Sequence, residues 1–175
     1  MNRSGSILHR KLLQNPLYAL AIGTLIVAKL IQGVLQQLSV KYGNQLSFVF
    51  KDLPLNNIHP QAQAAAEAAH CAGEQGKYWE YHDALFEMPA IRSETMLEAA
   101  QKVQIDEEAF KTCVAARKYK ELVEGNSKEV RQLGVNGTPA FFINGVLLSG
   151  AQPITAFESV INSELESAKT RAASQ

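Results

Sequence analysis

The chain has 175 residues, a length that suits one domain with short terminal segments, and its hydrophobic content of 46% is enough to bury a core. Its 17 lysines and arginines are balanced by 17 aspartates and glutamates, so the overall charge gives no indication of nucleic-acid binding. Two cysteines are too few for the disulfide framework of a small secreted domain.

The first 29 residues combine a basic start with an apolar segment. Arg3 and Arg10 precede the apolar residues 17–28, and Lys29 ends the run. The apolar segment is shorter than the roughly 20 residues that a transmembrane helix needs, but it fits the apolar region of a signal peptide. It fits a buried strand equally well. Residues 1–29 therefore predict either a signal or membrane anchor, or a degenerate first strand.

A helix and a strand are predicted next. Leu30, Val34 and Leu38 recur at the spacing of one helix face, and Gly43 offers the usual glycine end to that helix. Residues 46–50, Leu-Ser-Phe-Val-Phe, are rich in the aromatic and β-branched side chains that strands favour. The change of pattern predicts a helix followed by a strand.

Residues 60–130 predict a helical insert. Ser93 and Asp106 are of the types that cap helix starts, and each precedes a stretch with helical spacing. One further helix is predicted between residues 114 and 130, with a break near Gly125-Asn126 because glycine and asparagine are weak helix formers.

The last third of the chain predicts a hairpin and a terminal helix. Gly137-Thr138-Pro139 predicts a turn whose proline can be cis. Residues 141–148 then predict two short strands, because Asn144-Gly145 between them is the strongest short hairpin signal. A helix is predicted over residues 153–168, followed by a flexible tail at residues 169–175.

Three segments, in this order, resemble the DsbA-like branch of the thioredoxin superfamily. They are the strand and its exit at residues 48–60, the helical stretch at residues 69–86, and the turn, hairpin and helix start at residues 133–153. The likeness covers roughly residues 36–165. It implies an α/β, thioredoxin-like fold over residues 30–168, with the helical insert between the second strand and the cis-proline hairpin. The first strand is expected to be degenerate or missing.

Members of this branch are thiol-disulfide oxidoreductases, and they carry Cys-x-x-Cys at the start of their first helix. The helix N-terminus favours the thiolate, which then exchanges with a substrate disulfide. The resemblance places the motif at about Leu25, Ile26, Val27 and Ala28, none of which can act as a nucleophile, and no cysteine precedes Cys71. We therefore assign no catalytic residue. Whether the chain is truncated or is a genuine non-catalytic member stays open.

Two structural interpretations fit residues 17–28. In the first, residues 17–22 form the first strand and residues 25–28 form a degenerate active-site turn. In the second, the whole block is helical and continues into the next helix, and the first strand is absent. The loss of family likeness before about Leu35 slightly favours the second interpretation.

The preferred functional hypothesis is a non-catalytic domain that binds protein or peptide substrates. The resemblance implies that Thr138 and Pro139 lie at the substrate-binding edge of the fold. The alternative is an active protein-disulfide oxidoreductase that uses Cys71 or Cys113. No cofactor, metal or nucleic-acid partner is expected, and the resemblance favours an exported, periplasmic or membrane-anchored location. A third hypothesis is a purely structural membrane-proximal module or a defective gene product.

The two cysteines lie within helical patterns, 42 residues apart. The favoured interpretation is that Cys71 and Cys113 are small buried hydrophobic side chains, and a disulfide between them is the weaker alternative. His70 and His82 lie close to Cys71 and to an aspartate, but their spacing is unlike that of zinc sites, so we interpret them as packing residues.

Overall fold

The structure is a computed structural model that describes residues 17–23 and 29–173. The elements in chain order are β1 (Leu17–Gly23), α1 (Lys29–Tyr42), β2 (Leu46–Asp52), α2 (Ala62–Glu74), α3 (Tyr78–Phe86), α4 (Ser93–Lys102), α5 (Glu107–Ala115), α6 (Lys120–Gln132), β3 (Ala140–Ile143), β4 (Val146–Ser149) and α7 (Ile154–Ala173). They fall into two compact units. The sheet unit comprises residues 17–22, 30–51 and 138–173, and the helical unit comprises residues 23, 29 and 52–137.

The sheet unit is built on four strands in the order β2-β1-β3-β4. β3 runs antiparallel to both of its neighbours, and its register pairs Ala140 with Ile22 on one side and with Ser149 on the other. Asn144 and Gly145 both have positive φ at the β3–β4 turn, as the hairpin signal predicts. Phe141 and Phe157 meet edge to face with ring centroids 4.9 Å apart, so the hairpin packs on α7.

The structure decides between the two interpretations of the apolar block at residues 17–28. Leu17–Gly23 is a strand, so the interpretation without a first strand is wrong. β1 lies between β2 and β3, so it is an interior strand of the sheet. The predicted active-site turn at residues 25–28 lies outside the described residues, and so do residues 1–16 and 24–28 of the signal or anchor predicted at residues 1–29.

The helical unit has its own core, made by α2, α3, α4 and α5. Tyr81 and Leu85 of α3 are almost fully buried, and the small side chains of α2 let neighbouring helices approach closely. The buried alanines of α2 in this core are Ala65, Ala68, Ala69 and Ala72. Among the helices that the structure describes, none has the length and apolar character to cross a membrane.

Several predicted helix boundaries need correction. α6 continues through Gly125-Asn126 without a break, since the Asn126 side chain is buried and hydrogen-bonded. The predicted cap Ser93 is the first helical residue of α4, and Arg92 stands at the N-cap, where its backbone N–H donates to Thr95. The helix predicted to end at residue 168 extends to Ala173. The predicted cap at Asp106 is confirmed, because its carboxylate accepts from the backbone N–H of Ala109 at 2.7 Å.

Candidate functional site

The loop that contains Thr138 and Pro139 lies at one end of the sheet. The Thr138–Pro139 peptide bond is cis, Thr138 is half-buried and Pro139 is buried. The carbonyl oxygen of Pro139 accepts a hydrogen bond from the backbone N–H of Gly150 at 2.9 Å. This bond and the pairing of Ala140 with Ile22 tie the loop to β4 and β1. A scaffold of paired strands therefore fixes the position of Thr138.

The register between β1 and β3 shows which end of β1 lies beside this loop. Because Ile22 pairs with Ala140, β1 ends at the edge of the sheet where Thr138 and Pro139 lie. The residues predicted for the motif, Leu25 to Ala28, follow β1 directly in sequence but lie outside the described residues. Their side chains are aliphatic, so this stretch contains no nucleophile, acid, base or metal ligand.

Cys71 and Cys113 form a disulfide that joins α2 to α5. Their Cα atoms are 5.9 Å apart, and the residues are 2% and 7% exposed. The favoured sequence interpretation, two separate buried thiols, is therefore wrong. Pairing requires the two helices to pack side by side, and that geometry is a property of the tertiary structure that spacing does not reveal. Both cysteines of the chain are used in this bridge.

A buried polar cluster surrounds Asp52 at the end of β2. Asp52 is 3% exposed; its Oδ2 atom accepts from Asn126 Nδ2 at 3.0 Å and lies 2.8 Å from His70 Nε2. The His70 ring contacts Tyr78 and Tyr119, with centroid separations of 5.1 and 5.3 Å. Burial, together with the charge of Asp52, raises the pKa of Tyr78 well above its usual value.

An aspartate that orients an imidazole is also found in catalytic sites, but the surroundings here favour a structural role. The His70 ring has aromatic neighbours, and Asp52 is bonded to both α2 and α6. The packing role predicted for His70 agrees with these contacts. Sequence reasoning missed Asp52 and Asn126, because they are 74 positions apart and no local pattern joins them.

Glu67 is a second buried carboxylate, on α2. It is 3% exposed and accepts hydrogen bonds from Arg117 Nη2 at 2.7 Å, from Arg117 Nε at 3.2 Å and from Gln63 Nε2 at 2.8 Å. The hydrogen bonds to Glu67 and its negative charge raise the pKa of Arg117. Within residues 17–23 and 29–173, no three histidine, cysteine, aspartate or glutamate side chains are grouped to hold a metal ion.

Comparison with known sequences places residues 28–163 in a family described as Thioredoxin. Two curated relatives with similar sequence identity to this chain are named as sodium/proton antiporters. The chain is 34% identical over 137 residues to the Na(+)/H(+) antiporter NhaA 3 of Salinispora tropica, a match that covers 78% of this chain and 21% of the antiporter. It is 33% identical over 127 residues to NhaA 1 of Salinispora arenicola, covering 72% and 20%. The chain thus spans about a fifth of the length of these relatives.

Solved structures share the fold. The thiol-disulfide exchange protein alpha-DsbA2 of Wolbachia pipientis superposes with a TM-score of 0.74 at 23% identity, covering 86% of this chain and 82% of that one. Wolbachia pipientis alpha-DsbA1 gives 0.78 at 19% identity, covering 91% and 90%. The predicted thioredoxin-like fold with a helical insert is therefore confirmed.

Proposed function

Because the chain belongs to the thioredoxin family, we propose that it is a redox-inactive domain that binds extended segments of protein partners at the loop containing Thr138 and Pro139. One observation carries the proposal. The loop is held at the sheet end where β1 finishes, while residues 24–28, which come next after β1 in the sequence, include no cysteine. In this proposal Thr138 and Pro139 act as the substrate-facing half of a thiol-exchange site that has no cysteine at residues 25–28.

The position of Thr138 supports recognition of an extended segment. Thr138 is half-buried, so part of its surface stays accessible, and it lies two residues before Ala140, where pairing with β1 and β4 begins. An extended peptide placed beside such a segment can pair with its backbone, and this pairing depends little on the peptide's sequence. The substrate class that follows is unfolded or extended protein chain.

The burial of the disulfide argues against the alternative of an oxidoreductase that uses Cys71 or Cys113. Thiol-disulfide exchange needs an accessible thiolate in surroundings that stabilise its charge. Here both cysteines lie in a core of alanine, leucine and aromatic side chains, 2% and 7% exposed. An apolar environment of this kind disfavours the thiolate and blocks the approach of a substrate disulfide.

The disulfide also supports a location outside the reducing cytosol. Such bonds persist in secreted and periplasmic proteins, whereas glutathione and thioredoxin keep cytosolic thiols reduced. We therefore assign the domain to an exported location. Both relatives described above are named as antiporters, which transport ions across membranes, so association with a membrane protein belongs to the same proposal.

The test uses carboxamidomethylated ribonuclease A as a permanently unfolded probe without disulfides, with binding followed by fluorescence anisotropy. Thr138→Arg places a bulky charge on the loop and is expected to weaken binding about tenfold. Val146→Arg adds the same side chain at the far end of the hairpin and is expected to change binding less than about twofold. Absence of binding by the unmodified chain, or equal losses in both variants, contradicts the proposal.

Insulin reduction in the presence of dithiothreitol tests the redox part separately. The unmodified chain is expected to give the rate of buffer alone. A rate above buffer that disappears in Cys71→Ala or Cys113→Ala would establish the oxidoreductase alternative. The two assays fail independently, because peptide binding at the loop does not require either cysteine.

The relatives favour a second candidate function, that of an accessory domain to a sodium/proton antiporter. In this case the domain acts together with a membrane transporter of its own organism. Deletion of its coding sequence is then expected to reduce sodium-dependent proton exchange in everted membrane vesicles, and the purified domain should restore it. Unchanged exchange after deletion would exclude this role.

A further inference from the structure

A groove of about 790 Å³ opens along one side of α6 in the helical unit. The residues that line it belong to α6, to the loop that follows β2, to the turn before α6 and to α2, which contributes Gln63. Four cationic side chains line it, and Glu124 is its only carboxylate among the described lining residues. The cations are Arg117, Lys120, Lys128 and Arg131. This concentration of positive charge stands out in a chain whose formal net charge is zero.

The four cations differ in their partners. Arg117 is bonded to the buried Glu67, and Lys120 lies 3.9 Å from Glu124, so the fields of both are partly neutralised. Lys128 and Arg131 are exposed, and no carboxylate in the described part of the chain lies within 4.0 Å of either one. The end of the groove formed by Lys128 and Arg131 therefore presents uncompensated positive charge.

The spacing of the cations along α6 defines the length of a matching ligand. Lys120 and Arg131 are eleven residues apart in a continuous helix, which corresponds to about 16 Å. A strand-like peptide covers that distance with about five residues. A compact anion such as phosphate contacts only one end of this row, whereas an extended peptide spans it.

We propose that this groove binds an extended acidic segment of a partner protein. The basic end formed by Lys128 and Arg131 attracts aspartate and glutamate side chains, and the amide of Gln132 in the lining offers both a donor and an acceptor to a peptide backbone. The proposal is independent of the loop at Thr138 and Pro139, because every lining residue belongs to the helical unit.

The experiment measures binding of a fluorescein-labelled ten-residue peptide of alternating glutamate and serine to the full chain. The unmodified protein is expected to bind this acidic peptide and not to bind the matching lysine–serine peptide. Its affinity for the acidic peptide is expected to fall as the salt concentration rises. The double variant Lys128→Glu/Arg131→Glu is expected to weaken binding about tenfold or more. Lys169→Glu/Arg171→Glu makes the same charge change on α7, outside the groove, and is expected to weaken it less than about twofold.

Each other outcome overturns the proposal. Absence of acidic-peptide binding, or equal weakening by both double variants, shows that the groove is not the site. Displacement of the peptide by millimolar inorganic phosphate indicates a small-anion site instead. Stronger binding to phosphatidylglycerol vesicles than to the peptide, lost in the groove variant, indicates a membrane contact. Circular dichroism and the milder variant Lys128→Gln/Arg131→Gln separate loss of binding from loss of folding.

Discussion

Replacing Cys71 and Cys113 with alanine is expected to destabilise the chain strongly, because it opens a large covalent loop. The bridge joins residues 42 positions apart. In the chain-entropy treatment, opening a loop of that size returns about 13 cal/mol/K to the unfolded ensemble, which amounts to about 4 kcal/mol at 25 °C. Loss of two buried sulfur atoms from a packed core acts in the same direction.

The measurement is equilibrium unfolding in urea of three samples: the oxidised protein, the same protein with dithiothreitol, and Cys71→Ala/Cys113→Ala. The last two are expected to lie about 4 kcal/mol below the first, with a melting temperature lower by about 10 °C. Dithiothreitol should not change the double variant, which controls for other effects of the reductant. A double variant within about 1 kcal/mol of the oxidised protein, or two iodoacetamide-reactive thiols in the native oxidised protein, would refute the reasoning.

Two further predictions concern the helical unit. Asn126→Ala removes the buried side-chain donor to Asp52 and should lower the free energy of unfolding by about 2 kcal/mol. The control Asn136→Ala, at an exposed position, should change the free energy of unfolding by less than about 0.5 kcal/mol. Similar effects of the two variants in urea unfolding would contradict a stabilising role of the bond from Asn126 to Asp52. Burial, with the hydrogen bond and charge of Glu74, raises the pKa of Tyr119 to about 12. In the unfolded chain the Tyr119 phenol ionises near pH 10. The stability that the protonated phenol contributes to the fold is therefore fully present below about pH 10 and is lost as pH rises towards about 12. Tyr119→Phe should make the fall in urea midpoint between pH 9 and pH 11.5 shallower, and an unchanged slope would contradict this assignment.

Local sequence signals predicted much of the fold. The Asn144-Gly145 turn, the Asp106 cap and the helix end at Gly43 each depend on residues within a few positions, and the structure has all three. The three family-like segments also predicted the thioredoxin-like fold correctly. Patterns of this kind act through backbone conformation, so they can be recognised before any tertiary contact is known.

Apart from helix boundaries, the features that the sequence did not predict depend on distant residues. The Cys71–Cys113 bridge and the bond from Asn126 to Asp52 join positions 42 and 74 apart. The sequence does not distinguish a strand from a helix at Leu17–Gly23, because a continuous apolar run has no period; the pairing of this segment between β2 and β3 makes it a strand. The contribution of Thr138 and Pro139 to binding stays a prediction, since it depends on a partner.

The stability estimate for the disulfide bears on the proposed absence of redox activity. A catalytic cycle through Cys71 and Cys113 would repeatedly break and re-form this disulfide. The disulfide contributes about 4 kcal/mol to the free energy of unfolding, which is a large part of the roughly 5–15 kcal/mol that is usual for a domain. A Cys-x-x-Cys motif closes a loop of only about four residues, so its opening costs the fold far less. The bridge in this chain is therefore suited to holding α2 against α5 and poorly suited to turnover. Reduced protein is accordingly expected to be cleaved by trypsin within residues 52–137 faster than oxidised protein, and equal cleavage rates would show that the bridge can open without loosening the helical core.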